Sequence, residues 1–435
     1  MKILHTSDWH LGQHFYGKSR APEHKTFLNW LLTQVDELQL DAIIVAGDIF
    51  DTGTPPSYAR ELYFDFISQL HAKACQLVIL AGNHDSVAML SEAKQVLKQL
   101  STHVISSASE NTEQQLVTLH SQRNDSQNHE SQSNDEQLIV CAIPFIRPRD
   151  VMKSQSGQSA QDKQLVLQQA IADHYQTLFE QAQQQADYSA KQTDHAPAIL
   201  MTGHLTTAGV KTSDSVRDIY IGTLDAFPAN AFPSADYIAL GHIHKSQKVA
   251  KSEHIRYCGS PIPLSFDEAK QEKVALLAEF SQGKLSSVNE VVIPRFQPMA
   301  MLKTDVEQLH QDIEALIASH TPDDENQTLW LDVEITSTGY LQDMSQRITE
   351  LTKDTPLEVL LVRRSKEARQ KMSQNSSQIT LNELTVDEVF EARVANENWQ
   401  ETDELERKER LTTLFHQYVD KVTHTDEAHD KEQTS

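Results

Sequence analysis

No run of apolar side chains here approaches the roughly 18 residues that a bilayer-spanning helix requires, which leaves no candidate membrane helix. The start, Met1-Lys2-Ile3-Leu4-His5-Thr6-Ser7-Asp8, turns polar after two apolar residues. A secretory leader needs an apolar core of about 7–15 residues and a small-residue cleavage site, and neither is present. The expected location is the cytoplasm, with the start retained. Cysteine is scarce: Cys75, Cys141 and Cys258 are odd in number, far apart and set in apolar sequence. No C-x-x-C pair occurs, which argues against a disulfide framework and a zinc ribbon. All three are expected as small buried side chains. Positive charge is also short, with 38 basic against 62 acidic residues and a net charge of −24. Polyanion binders usually carry a basic surplus. Any contact with nucleic acid must therefore come from local basic positions, from metal, or from a partner's positive surface.

What is present suffices for two or three domains: 435 residues, 39% of them hydrophobic. From residue 1 to 296 short apolar runs end repeatedly in polar clusters. They are Ile3-Leu4 before Asp8, Ala42–Ala46 before Asp48, Leu77–Leu80 before Asn83, Ala198–Met201 before His204, and Tyr237–Leu240 before His242. Such runs read as buried strands. Helical periodicity over 22–37 and 56–72 follows the first two, so the fold class is α/β, in layers. In such folds sites gather beyond the carboxyl ends of strands. Residues 121–136 read as a solvated polar loop. The Gln- and Ala-rich stretch 153–195, with a stripe at Leu165, Leu167, Ile171, Tyr175 and Leu178, reads as an inserted surface helix. A compact β-α-β-α-β pattern over 297–364 predicts a small second domain, with strands at 299–302, 329–335 and 357–362. A polar linker, 365–380, precedes a helical segment over 381–423. There Thr385 and Glu388 form a capping box before Val386, Val389, Phe390 and Val394. A second apolar stripe follows at Leu411, Leu414, Phe415, Tyr418, Val419 and Val422. Such a face docks on its own domain or on a partner. Residues 424–435 are a charged tail.

Five motifs occur at the strand ends: Asp8-Trp9-His10, Gly47-Asp48-Ile49-Phe50-Asp51, Gly82-Asn83-His84-Asp85, Gly203-His204 and Gly241-His242-Ile243-His244. Each alone is weak, since a lone histidine is more often a hydrogen-bonded structural residue. Together they suit phosphate-ester hydrolysis, in which two divalent ions about 3.5–4 Å apart activate water and clamp the phosphate. The expected division gives Asp8, His10, Asp48 and His244 to one ion. Asp48, Asn83, His204 and His242 take the other, with Asp48 bridging. Imidazole and oxygen donors without thiolates suit Mn²⁺, with Fe, Zn or Mg as alternatives. His84 is not needed to fill either set and has the pKa range to protonate a leaving alkoxide. The alternative is that it only orients Asn83 or a phosphate. Asp51 and Asp85 are expected to orient metal-bound histidines.

The five motifs resemble those of the calcineurin-like metallophosphoesterases over residues 1 to about 280. The runs Ile3–Gly12, Gly47–Arg60 (GDIFDTGTPPSYAR), Asp218–Pro228 (DIYIGTLDAFP) and Tyr257–Phe266 (YCGSPIPLSF) are similar to the DNA-nuclease branch of that family. The resemblance implies a layered β-sandwich flanked by helices, with a small α+β capping domain and a C-terminal helical segment that binds a partner. It further implies a manganese-dependent double-strand 3′→5′ exonuclease and single-strand or hairpin endonuclease of DNA repair and recombination. The implied partners are a coiled-coil ATPase and a second copy of the chain, in a heterotetramer. One departure is Asp51, where other branches carry histidine. Lys18 and Arg20 are the first candidates for DNA contact; Arg147, Arg149, Lys211 and Arg217 follow. The alternative is a phosphomonoesterase or protein phosphatase on the same fold. Protein phosphatases of this family place Arg directly after the second Asp of G-D-x-x-D; here that residue is Thr52.

Overall fold

The computed structural model describes residues 1–109, 111–121, 136–152, 159–192, 195–216, 226–320, 327–336 and 341–365, with isolated positions between 368 and 415. It divides into two compact units, Met1–Ala300 and Met301–Ser435. In chain order the first holds β1 (Lys2–Thr6), a hairpin of β2 (His14–Phe15) and β3 (Lys18–Ser19), α1 (Ala21–Leu38), β4 (Ala42–Ala46), α2 (Ser57–Ala72) and β5 (Gln76–Leu80). Next come α3 (Val87–Glu92), α4 (Lys94–Gln99), β6 (Thr102–Ile105), β7 (Leu116–His120), β8 (Gln137–Cys141), α5 (Pro148–Val151) and α6 (Ala160–Ser189). The unit closes with β9 (Ala198–His204), β10 (Tyr237–Gly241), β11 (Gln247–Lys248), β12 (Ile255–Tyr257), β13 (Lys273–Ser281) and β14 (Lys284–Ile293).

Two six-stranded sheets result, ordered β14-β13-β1-β4-β5-β6 and β11-β12-β10-β9-β8-β7. Strands β1, β4, β5 and β6 run parallel, as do β8, β9, β10 and β12. Side chains alternate across a strand, and β4 shows how this builds layers. Ala42, Ile44 and Ala46 enter the core between the sheets with Val78, Leu80, Leu138, Val140 and Leu200. Ile43 and Val45 face outward onto Phe27, Leu31, Tyr63 and Phe66 of α1 and α2. With both faces covered, the strand has no polar alternation, which is why it reads as an unbroken apolar run. Truncating a fully buried side chain such as Leu31 should cost about 2–5 kcal/mol.

The second sheet gets its outer layer from α6. Leu167, Ile171, Tyr175 and Leu178 pack on Ile139, Cys141, Ile199, Met201, Ile238 and Leu240. The expectation of an inserted surface helix is thus corrected: α6 is a structural layer whose narrow apolar stripe sufficed to cover a sheet. Leu165 lies off that stripe and is exposed. The three cysteines are free and buried. Most of the polar stretch 121–136 lies outside the described residues.

The second unit has β15 (Met299–Thr304), which starts two residues before the boundary, α7 (Leu309–Ser319), β16 (Leu329–Ile335), α8 (Leu341–Thr352) and β17 (Leu357–Arg364). The strand order is β15-β16-β17, with β16 and β17 parallel. Its core includes Leu331, Val333, Ile335, Leu309, Ile313 and Ile348. On β16 the buried Asp332 accepts from Arg363 at 2.9 and 3.0 Å. Most of 365–435 lies outside the described residues, including the capping box at Thr385 and Glu388, and Tyr418, Val419 and Val422. Phe390 and Phe415 are described, and their rings stack with centroids 4.0 Å apart.

Candidate metal centre

The carboxyl ends of β1, β4 and β5 in one sheet and of β9 and β10 in the other meet at one end of the sandwich. Asp8, Asp48 and Asn83 lie two or three residues beyond their strands, His204 closes β9, and His242 follows β10. A spacing of two, as in Asp8/His10, would also be met on one face of a strand. Here the backbone leaves the strand instead: Asp8, His10, Asp48 and His242 all have positive φ, between 46° and 89°. These left-handed residues are costly and hold only where the surroundings over-determine them. Main-chain hydrogen bonds do so here: Asp8 N–H donates to Gly47 O (2.9 Å), His10 N–H to Asp48 O (3.1 Å) and Leu11 N–H to Ile49 O (2.9 Å).

The glycines before the ligands make room for neighbouring ligands, a use beyond the turning and substrate access that their sequence context suggests. Gly47 has φ +95°, and a Cβ there would fall on the His204 imidazole. A Cβ at Gly82 would fall on the Asp48 carboxylate.

The candidate ligand set converges. Asp8, His10 and His244 have donor atoms within 4.8 Å of one another, as do Asp48, His204 and His242. Asp48 lies between the two groups, its Oδ2 at 3.2 Å from His204 Nε2 and 3.7 Å from His10 Nε2. Asn83 Oδ1 is 3.0 Å from His204 Nε2. His10, Asp48 and His84 form a third such cluster, so His84 sits as close to the centre as the ligands do.

Three of the imidazoles are oriented through Nδ1. His10 faces Asp51 Oδ1 (3.1 Å), His204 faces Ala46 O (2.9 Å), and His244 faces Ser215 Oγ (2.6 Å). The Nε2 atoms are thereby aimed inward. Those of His10 and His242 are buried with no hydrogen-bond partner. Buried polar atoms are seldom left without a hydrogen bond, and the His10 Nε2, 3.7 Å from Asp48 Oδ2, is placed where a divalent cation would supply the missing partner. The donor set of imidazole, carboxylate and one amide oxygen fits a pair of such ions.

Electrostatics agree. Burial would raise the Asp48 pKa, yet His204, His84 and His10 hold it well below the usual carboxylate range. Burial acts to lower His204, but the Asp48 carboxylate outweighs it and brings the pKa to about 9. His242 is pushed well below its ordinary value by burial and by the neighbouring His204.

Several residues were not legible in the motifs. Ser7 Oγ donates to Asp8 Oδ2 (2.5 Å), and the main-chain N–H of His242 donates to Asp8 Oδ1 (2.9 Å). Behind His244 lies a network of the half-buried Ser213 and Ser215 and the buried Ser260, Glu268 and Lys273. Glu268 is fully buried; burial would raise its pKa, but Lys273 and the nearby His244, whose Nδ1 is 3.6 Å from Glu268 Oε1, hold it well below the usual range. No sequence signal marks this network, because its members are ordinary polar residues in unremarkable spacing.

Two expectations are corrected. Asp85 does not orient a histidine. Its carboxylate accepts from the main-chain N–H groups of Ile49 (3.1 Å), Phe50 (3.0 Å) and Gly82 (2.8 Å), clamping the Asp48 loop to the Asn83 loop. Burial, then Asp48, raises its pKa to about 6 despite those three bonds. Arg20 is not presented to a polyanion. It is buried, pairs with Glu23 (2.8 Å from Nε), and donates to Gln13 Oε1 (3.1 Å) and to Pro263 O. Lys18, two residues earlier, is exposed at the hairpin. Arg149 and Lys211 are exposed, whereas Arg147 is half-buried and donates to Asp85 O (3.2 Å). Arg217 lies outside the described residues. Asp51 does hold His10, and its carbonyl oxygen is 2.7 Å from His84 Nδ1.

Comparison with known proteins follows the same outline. Residues 1–246 match the calcineurin-like phosphoesterase family, and 295–398 match the type 5 capsule protein repressor C-terminal domain. The chain is 48% identical to the D subunit of nuclease SbcCD from Escherichia coli K12, over 96% of its own length and 98% of that protein. It is 30% identical to the corresponding SbcCD nuclease protein of Bacillus subtilis 168, over 77% of this chain and 79% of that one. No described helix is long and apolar enough to cross a membrane.

Proposed function

The chain belongs to the calcineurin-like phosphoesterase family, in the group that holds the D subunits of SbcCD nucleases, and from that premise we propose that it is the nuclease subunit of a DNA-processing complex. Its substrate is DNA, cut as a double-strand 3′→5′ exonuclease and as a single-strand or hairpin endonuclease in repair and recombination. Its partner is a coiled-coil ATPase, the assembly is a heterotetramer built on two copies of this chain, and the compartment is the cytoplasm. The observation that carries the reading is the meeting of Asp8, His10, Asp48, Asn83, His204, His242 and His244 from both sheets, with the buried Nε2 of His10 left without a hydrogen bond 3.7 Å from Asp48 Oδ2.

Asp8, His10, Asp48 and His244 would hold one ion, and Asp48, Asn83, His204 and His242 the other, most suitably Mn²⁺. When bound, such a pair supplies a nucleophile at neutral pH and neutralises charge on the phosphoryl oxygens. The protein's own part is orientation and proton handling. His84 is fixed at two points, its main-chain N–H on Asp48 Oδ1 (2.9 Å) and its Nδ1 on the carbonyl of Asp51. A carbonyl only accepts, so Nδ1 carries hydrogen and Nε2 is the atom that gives and takes a proton. That arrangement serves protonation of the leaving 3′ or 5′ oxygen. The surplus of negative charge is consistent with a partner that makes most of the phosphate contacts.

The test assays a labelled DNA hairpin and a phosphopeptide side by side with Mn²⁺, together with metal analysis of wild type and His84→Ala. Hairpin cleavage by the wild type, and a variant that keeps its metal but loses turnover, is the expected result. Hydrolysis of the phosphopeptide alone would point to the phosphatase alternative. Loss of metal in His84→Ala would make that residue a ligand, as its cluster with His10 and Asp48 also allows.

A further inference from the structure

The loop Lys211–Val216 carries no metal ligand, yet it reaches one. Lys211, Thr212 and Asp214 face solvent or its edge, while Ser213 and Ser215 turn inward. The loop is pinned at its start by Gln247, whose Oε1 accepts from Lys211 N–H (2.9 Å) and whose amide donates to Lys211 O (2.8 Å). Ser215 Oγ stands 2.6 Å from His244 Nδ1 and donates to Glu268 Oε1; Ser213 Oγ reaches the same oxygen at 2.6 Å. Glu268 Oε2 accepts from Lys273 Nζ (2.6 Å) and from Leu264 N–H (3.1 Å). Lys273 Nζ also donates to the carbonyl of His244 (3.0 Å).

The donor count fixes the direction of this chain. Glu268 is an acceptor, so Ser215 gives it its only hydroxyl hydrogen and must accept from His244 Nδ1–H. That leaves the lone pair of His244 on Nε2, the tautomer needed for a metal ligand. We propose that Ser215 and Glu268 form a hydroxyl–carboxylate relay that locks His244 in its metal-binding tautomer, so that the seating of the Lys211–Val216 loop sets the affinity of the Asp8–His10–His244 position for a divalent cation. The inference rests on the metal-centre reading of the proposed function. Its consequence is a regulated site: any strand that engages this surface loop is linked to that ion, and by reciprocity the ion is linked to the strand.

The experiment is calorimetric titration of the full chain with Mn²⁺ after chelation, for wild type, Ser215→Ala, Ser215→Thr, Glu268→Gln and Thr212→Ala, with thermal unfolding of each metal-free protein. Wild type should bind two ions. Ser215→Ala should weaken one of them about 10–100-fold, the usual effect of removing a ligand's orienting partner, and leave the other unchanged. Ser215→Thr keeps the hydroxyl and should restore wild-type affinity, which a merely structural role would not ensure. Thr212→Ala, exposed on the same loop, should match wild type. Glu268→Gln leaves Lys273 buried without its carboxylate and risks unfolding the chain, so Ser215→Ala decides. Two unchanged affinities in Ser215→Ala overturn the relay and leave the metal centre standing. A wild type that fails to bind two ions overturns both.

Discussion

The imidazoles in the two halves of the candidate metal centre are held by different means. His10 and His244 lean on side chains, Asp51 in one case and Ser215 with Glu268 in the other. His204, in the other half, leans on the main-chain carbonyl of Ala46, packed against Gly47 where no Cβ could fit. Side-chain support can be altered by one substitution, and it can be linked to whatever moves the supporting loop. Main-chain support is set by the sheet itself and changes only if the backbone does. The difference predicts one tunable half and one fixed half, with Asp48, whose Oδ2 lies 3.2 Å from His204 Nε2 and 3.7 Å from His10 Nε2, between them.

The largest effect should come from removing the join. Asp48→Ala takes a donor from both halves, so both ions should be lost and turnover should fall below about 10⁻³ of wild type. That exceeds the roughly 10²–10³-fold cost of deleting one electrostatic donor. Retention of one tightly held ion, by metal analysis, would mean the halves are independent and Asp48 does not bridge. Next, Gly47→Ala attacks the fixed half. Its left-handed φ costs about 1–3 kcal/mol for a side chain, and the new methyl displaces His204. One ion should be lost, the other kept, and the melting temperature lowered; equal loss of both ions would erase the distinction between the halves.

Asp51→Ala probes the tunable half. His10 keeps its place on the chain but loses its orienting carboxylate, and one ion should bind about 10–100-fold more weakly. Wild-type affinity in that variant would show that the packing of His10 against His84 and His244, at centroid distances of 4.7 and 5.3 Å, suffices without Asp51. The smallest effect concerns pH. In the metal-free fold His204 is raised from 6.5 to about 9. A raised basic pKa means the folded state binds the proton more tightly. Its stabilising contribution is therefore complete below pH 6.5 and is lost as pH rises through about 9. The melting temperature of chelated wild type should decline over that window, and His204→Gln should decline less. Identical slopes would show that Asp48 does not hold a proton on His204.

Much of this is legible in the chain itself. The apolar runs ending at Asp8, Asp48, Asn83, His204 and His242 identify five buried strands because sheets covered on both faces leave few polar residues inside, among them His5, Thr6, Gln76 and Thr202. The seven candidate ligands follow from residue type and position at those strand ends. The small β-α-β-α-β unit is legible for the same reason. Other features are not. Helix α6 passes for a surface insertion because its stripe of buried residues is diluted by a polar majority. Arg20 and Lys18 look alike in sequence, yet one is sealed against Pro263, 243 positions away, and the other is exposed.

The sequence by itself determined which atoms could bind metal and which segments would be strands, since both depend on residue type and short-range pattern. Only the tertiary structure decided which imidazole nitrogen faces inward, what Asp85 clamps, and that Ser215 and Glu268 stand behind His244. Those outcomes depend mainly on hydrogen bonds between residues 29 to 158 positions apart, and such contacts leave no periodicity in the chain because nothing local requires them.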